Sequence, residues 1–272
     1  MIEDQTMKPY RLGLALSGGG SKGFGHVGVF QFLKDCKLEP EIIVGTSAGA
    51  LMGALYADGF SPKEICQLFV EHDFADFTEF QIPKAGLFKI TKFKKFLSQT
   101  LRAKTFEELK IPLKVIATDL DHGSSHVFSS GSLVDAILAS CSIPIIFNPV
   151  KIRGVHYVDG GLFRNFPVAE IREECERVIG VNVSPLMPKK YKQTIYNIAE
   201  RSYHYMFQAN SVEDRDLCDV LIETTEIGKF KTFDLDNIYK IFQLGYDAAA
   251  LSVSHFIETH AEDELINTIE RT

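Results

Sequence analysis

The sequence predicts an α/β protein built on a mostly parallel sheet with helices covering both faces. Three observations carry that expectation. Short, uniformly apolar runs punctuate the chain, the pattern of strands buried on both sides. Helically spaced stretches fill the space between many of them, the alternation that builds parallel sheets. The first two runs end in glycine-rich turns, and in such sheets chemistry collects at the carboxyl ends of strands. The first run, 12–16, stops at Ser17-Gly18-Gly19-Gly20, and 25–33 continues with small and apolar residues at helical spacing. The second, 42–44, ends in Gly45-Thr46-Ser47-Ala48-Gly49 and opens a helical stretch at 50–57. Further strands are expected at 113–118, 156–158, 178–183 and 219–223, with helices notably at 133–139, 167–176, 193–209 and 237–258. No internal repeat, low-complexity tract or Pro/Gly/Ser linker interrupts the chain, so residues 1–272 read as one domain.

Composition narrows the function. A chain that is 45% hydrophobic and 24% charged is not disordered. Its 29 Lys and Arg against 36 Asp and Glu leave a net charge of −7, which argues against a nucleic-acid partner. Cys36, Cys66, Cys141, Cys175 and Cys218 are odd in number and form no CxxC unit. Neither a zinc site nor a disulfide framework fits that pattern, and reduced thiols do. No metal-ligand cluster is visible, so neither a metal, calcium included, nor any other cofactor is expected. The amino terminus, Met-Ile-Glu-Asp, is acidic where a secretory signal is basic. The longest charge-free stretch near the start, 42–57, has 16 residues, short of the roughly 20 that span a bilayer. These features point to a soluble, cytoplasmic protein, at most peripheral to the inner face of the membrane.

Gly45-Thr46-Ser47-Ala48-Gly49 is a GxSxG turn between a strand and a helix, where flanking glycines let a serine adopt a strained backbone with its hydroxyl exposed. Ser47 reads either as a nucleophile or as the N-cap of a tight turn. The earlier turn, Gly18-Gly19-Gly20-Ser21-Lys22-Gly23, admits three readings. It satisfies the dinucleotide fingerprint GxGxxG, but the acid expected at the end of the second strand is missing, Glu41 lying before it. It can instead supply backbone amides to an oxyanion, or be a loop without a ligand. Asp159, after His156-Tyr157-Val158 and before Gly160-Gly161, stands as a carboxylate on a turn at a strand end, although Asp-Gly is also a plain turn signal. A triad of Ser47, Asp159 and His255 has the familiar chain order, but too few strands precede Ser47 for that fold, and His255 lies in a long amphipathic pattern.

Together these blocks spell a family. Gly18 to Gly23 with His26 and Gly28, the Ser47 turn, Ala139-Ser140-Cys141-Ser142-Ile143-Pro144 with Phe147 and Pro149, and Asp159-Gly160-Gly161 through Asn165 and Pro167 strongly resemble the patatin-like phospholipases. Order and spacing fit over about 10–185, and the small single-domain bacterial members look most similar; the helical part from about 190 to 272 matches only in general. The resemblance implies a three-layer α/β/α fold and a Ser-Asp dyad without histidine. Carried over, Ser47 is the nucleophile on an elbow flanked by Gly45 and Gly49. Asp159 is the base on the Gly160-Gly161 turn, and the amides of Gly18, Gly19, Gly20, Ser21, Lys22 and Gly23 form the oxyanion hole. Lys22 stands where the family has a basic residue. The implied reaction is hydrolysis of an acyl ester in a phospholipid, lysophospholipid or related lipid. An aspartate can serve as the base only if burial raises its pKa. The alternative is a lipid- or nucleotide-binding regulator that keeps the fold without catalysis.

From Phe80 to Phe106 there is no acidic residue but seven basic ones: Lys84, Lys89, Lys92, Lys94, Lys95, Arg102 and Lys104. Ile90, Phe93, Leu97 and Leu101 share a helical face in the same segment. The segment reads as a cap helix packing that face on the core, or as a basic helix, spanning 84–104, that contacts an anionic membrane. His26 is expected to pack in the helix after the glycine loop, and Cys141 to sit in the core. Lys22 reads as a loop lysine in water, an orienter of the loop, or a head-group contact. The tyrosine-rich stretch 191–207 reads as an amphipathic helix, with an acyl-pocket wall or a self-association face as its functional versions; oligomeric state stays open.

Overall fold

The computed structural model describes residues 8–80, 86–185, 191 and 193–259; the Met-Ile-Glu-Asp terminus and Lys84 lie outside the described residues. The chain begins Tyr10–Leu16 (β1), Phe24–Asp35 (α1), Ile42–Thr46 (β2), Ala48–Ala57 (α2), Pro62–Gln67 (α3) and Phe74–Phe77 (α4). It continues Glu79–Phe80 (β3), Gly86–Lys89 (β4), Thr91–Thr100 (α5), Leu113–Asp119 (β5), Ser124–Phe128 (β6), Leu133–Ser140 (α6), Ile145–Phe147 (β7) and Val150–Ile152 (β8). Val155–Asp159 (β9), Ala169–Arg172 (α7), Cys175–Asn182 (β10), Ile195–Ala209 (α8), Val212–Arg215 (α9), Val220–Glu223 (β11) and Ile238–Thr259 (α10) complete it.

Alternate residues of the first strands feed two separate cores. Leu14, Leu16 and Ile43 pack with Val27, Phe30 and Leu55 of the helices on one face. Ala15, Ile42 and Val44 pack with Phe166, Val168 and Ile171 on the other. That two-sided burial gives the three-layer α/β/α architecture and explains why the runs are apolar throughout rather than alternating. α10 lies along α1 and β11, tying the carboxyl-terminal helix to the first crossover.

The main sheet runs β11-β10-β1-β2-β5-β9-β8, with β6 also on β5. Its body, from β11 to β5, is parallel. β6, β8 and β9 are antiparallel additions, so the strand at 156–158 runs against the expected direction. This reversal positions the site. β2 pairs with β5 as far as Thr46 opposite Ile116. β9 arrives from the other end and finishes with Asp159 opposite Ala117. Two consecutive residues of β5 therefore register the last residues of β2 and β9.

The structure departs from the sequence reading elsewhere too. The helix expected at 167–176 is only Ala169–Arg172, because Cys175 already begins β10 and is fully buried in the second core. The hairpin β8–β9 turns at Arg153 (φ 48) and Gly154 (φ 94), the two positive-φ positions of a tight hairpin. A second sheet, β3-β4-β7, stands apart from the first. Helix α5 packs the apolar face of the basic segment inward, with Leu97 and, just past its end, Leu101 fully buried. Among the described residues no helix is long and apolar enough to cross a membrane.

Candidate active site

Ser47 follows β2 with φ 52 and ψ −118 and immediately precedes α2. Positive φ at a residue with a Cβ is a strained choice. The reversal also demands close backbone approach. A Cβ on Gly45 would lie 2.5 Å from the Gly49 carbonyl oxygen, and one on Gly49 would lie 2.3 Å from that of Leu16. Ser47 occupies the N-cap position of α2, yet its side chain makes no capping hydrogen bond. Ser61 and Ser132, by contrast, do cap their helices. The Ser47 amide donates to Ser140 Oγ at 2.8 Å, and that hydroxyl donates to the Ile116 carbonyl at 2.5 Å. Cys141 Sγ reaches the Ser47 carbonyl at 3.4 Å.

Asp159 is fully buried. Its amide donates to the Ser142 carbonyl at 2.9 Å, and its carbonyl accepts from Thr118 Oγ1 at 2.9 Å. Oδ1 accepts from the Gly161 amide at 2.8 Å, whereas Oδ2 has no partner of normal geometry. The Ser47 side chain acts on this carboxylate as a looser hydrogen-bond donor. Burial pushes the Asp159 pKa up to about 6, against the opposing effects of Ser47 and the Gly161 amide. Asn210, at the end of α8, pins the turn: its Nδ2 donates to the carbonyls of Gly161 (2.9 Å) and Leu162 (3.1 Å), and its Oδ1 accepts from the Asn165 amide (2.9 Å).

The amides of the glycine loop divide into two kinds. Those of Gly18 and Ser21 donate to the carbonyls of Asn165 (3.0 Å) and Thr232 (2.7 Å). Those of Gly19 and Gly20 donate to no group among the described residues. Gly20 has φ +60, and a Cβ there would lie 2.2 Å from the Thr232 carbonyl oxygen. Gly23 backs the loop against Ala48, the first residue of α2. Lys22 is 7% exposed, so it is not the solvated lysine of one sequence reading. His26 is buried beneath the loop, its Nε2 donating to the Ser17 carbonyl at 2.8 Å. Burial lowers its pKa to about 4, which keeps the ring neutral.

Gly20, Ser21 and Ser47 sit in one cleft whose remaining lining is almost wholly apolar, including Phe69, Phe77, Phe93, Phe147 and Phe233. Phe69, Phe77, Phe93 and Phe96 touch edge to face or tilted, forming a continuous aromatic wall. Ile90 and Phe93 belong to that lining, so the cap segment that carries the lysines also closes the cleft. Cys141 lines it too and packs against the main core; burial raises its pKa strongly. His255 is exposed on α10, whereas the Ser47 side chain is hydrogen-bonded to the buried Asp159. Helix α8 packs against the turn that follows Asp159, and none of its described side chains lines the cleft. No group of three or more His, Cys, Asp or Glu among the described residues could hold a metal ion. The sequence reading missed Asn210, Thr118 and the aromatic wall, and gave Ser140 no role.

A family model described as patatin-like phospholipase matches residues 14–171. That is more than half of the 272 residues. The chain belongs to the patatin-like phospholipase family. It is 32% identical over 218 residues to YqhO of Bacillus subtilis, covering 68% of this chain and 75% of that protein. It is 23% identical over 279 residues to lysophospholipase NTE1 of Saccharomyces cerevisiae, covering 91% of this chain but 17% of the yeast protein. Among solved structures, VipD of Legionella pneumophila shares the fold with a TM-score of 0.53 at 13% identity, over 96% of this chain and 72% of that one. Patatin-like proteins are hydrolases of lipid esters, and the cleft found here is of matching character.

Proposed function

We propose that this chain hydrolyses acyl esters of phospholipids or lysophospholipids through Ser47 and Asp159. The observation that carries the reading is a strained Ser47 that caps no helix and whose side chain instead hydrogen-bonds a fully buried carboxylate, Asp159. Ionised Asp159 takes the proton from Ser47 Oγ as that oxygen attacks the ester carbonyl carbon. The carbonyl oxygen becomes an oxyanion to which the uncommitted amides of Gly19 and Gly20 donate, each such donor contributing roughly 3 kcal/mol to the transition state. As the tetrahedral intermediate collapses, Asp159 returns the proton to the leaving alcohol, and the acyl group stays on Ser47. A water molecule then repeats the sequence with Asp159 as base, releasing the fatty acid and regenerating the hydroxyl. A base of pKa about 6 suits a reaction near neutral pH better than an ordinary aspartate does.

The aromatic cleft suits an acyl chain, and the printed descriptions of the family and of the yeast relative name phospholipid and lysophospholipid chemistry. Such a substrate places the enzyme at a membrane surface as a peripheral protein. Hydrolysis of a soluble p-nitrophenyl ester tests the dyad. Ser47→Ala and Asp159→Asn are each expected to lower turnover by about a thousandfold or more with the fold intact. Undiminished hydrolysis in either variant would overturn the assignment, and folded wild-type protein that binds lipid without turnover would establish the regulator instead.

A further inference from the structure

Two segments that rim the cleft carry features the reaction does not use. The first is β7. Ile145 has φ 73, where a β-branched residue is a genuine outlier, and its side chain is 70% exposed. It stands between Ile143 and Phe147, both of which line the cleft. Gly86 and Phe88 of β4 are the register partners of Ile145 and Phe147, and the exposed Lys89 follows directly. The second segment is 231–235. Thr232, Phe233 and Leu235 line the same cleft, Phe233 is 38% exposed, and Lys231 beside it is exposed. Each rim thus couples an exposed apolar side chain to a lysine. A β-branched side chain at positive φ with most of its surface in water gains little burial to offset its strain.

We propose that this rim docks on an anionic phospholipid surface, with Ile145 and Phe233 entering the acyl region and Lys89 and Lys231 meeting head-group phosphates. Lys92 and Lys95, exposed on α5, extend the cationic footprint. The charge is local: residues 86–106 contain no acid although the whole chain carries −7. Of the acids at the rim, Asp234 accepts from Asn237, Glu79 stands opposite Lys89 in the small sheet, and Asp236 is exposed beside Leu235, so the positive charge is concentrated on the α5 side. The mouth of the cleft then opens toward the bilayer, and the docking rests on the esterase reading for its purpose.

The chain contains no tryptophan, so Ile145→Trp places a single indole at the rim. On vesicles of phosphatidylcholine with phosphatidylglycerol, its emission is expected to shift blue and to be quenched by brominated lipid. The effect should be weaker on pure phosphatidylcholine and in high salt. Ile145→Asn, which tolerates positive φ, should partition onto the same vesicles about tenfold less while hydrolysing a soluble short-chain ester at the wild-type rate. Phe233→Trp gives a second reporter should the first variant fold poorly. Indole emission that stays water-like on every vesicle, or unchanged partitioning of Ile145→Asn, overturns the docking. Absent soluble-ester hydrolysis in the wild type would instead refute the esterase reading, which the indole emission does not depend on.

Discussion

Replacing Asp159 with asparagine separates stability from turnover, because the residue that the reaction needs is costly to the fold. The carboxyl is fully buried, and its pKa rises from 3.8 to about 6. At about 1.36 kcal/mol per pH unit, that difference amounts to about 3 kcal/mol of native-state penalty once the group is ionised. The sign follows from proton binding. Between pH 3.8 and about 6 the native state holds a proton that the unfolded state has released, so stability falls as pH rises through this window. Asparagine keeps the shape, can accept from the Gly161 amide through Oδ1, and carries no charge. Asp159→Asn is therefore expected to be as stable as wild type below pH 4 and up to about 3 kcal/mol more stable above pH 7, while losing turnover. Urea unfolding of both proteins across pH 4–8 reads the difference directly, and the subtraction cancels the opposite contribution of His26. A variant no more stable at pH 7.5, or a difference that does not vary with pH, would refute a desolvated carboxylate at this position.

Other outcomes follow from the same geometry. The rate of soluble-ester hydrolysis should fall about tenfold per pH unit below pH 6, as Asp159 takes up its proton, and a flat profile from pH 7 to 5 contradicts its role as base. Ser140→Ala strips the acceptor from the Ser47 amide and leaves a buried donor unpaired, a loss of roughly 1–3 kcal/mol in unfolding free energy. It should also lower kcat through misplacement of the elbow, so wild-type kcat in this variant would remove Ser140 from the positioning role. Phe93→Ala opens the aromatic wall and should raise KM for long acyl chains several-fold while sparing acetyl or butyryl esters. Equal effects on both chain lengths would argue against an acyl chain in this cleft.

Much of the site was legible because its determinants are local. GxSxG after a buried run located the strained serine, since only glycine tolerates the backbone contacts at positions 45 and 49. Asp159 before two glycines marked the second strand end. What escaped depends on long-range geometry. A period-two or apolar run carries no direction, so the antiparallel arrival of β9 could not be read from 156–158. Asn210 braces a turn some fifty residues earlier, and nothing near it in sequence announces that contact. The aromatic lining of the cleft gathers Phe69, Phe77, Phe93, Phe147 and Phe233 from separate segments, each of which alone reads as ordinary core. The glycine loop looked uniform in sequence, yet tertiary carbonyls of Asn165 and Thr232 occupy two of its amides and leave Gly19 and Gly20 uncommitted. The helical face shared by Ile90, Phe93, Leu97 and Leu101 was visible from spacing, but the place of Ile90 and Phe93 in the lining of the Ser47 cleft was not.

The central claim is that Ser47 is an activated nucleophile. Intact mass after incubation with a fluorophosphonate, run beside Ser47→Ala, tests it most directly. The account predicts one covalent equivalent on the wild type, none on Ser47→Ala, and slower labelling below pH 6 as Asp159 becomes protonated. An adduct that persists in Ser47→Ala, or folded wild-type protein that takes up none, would contradict it.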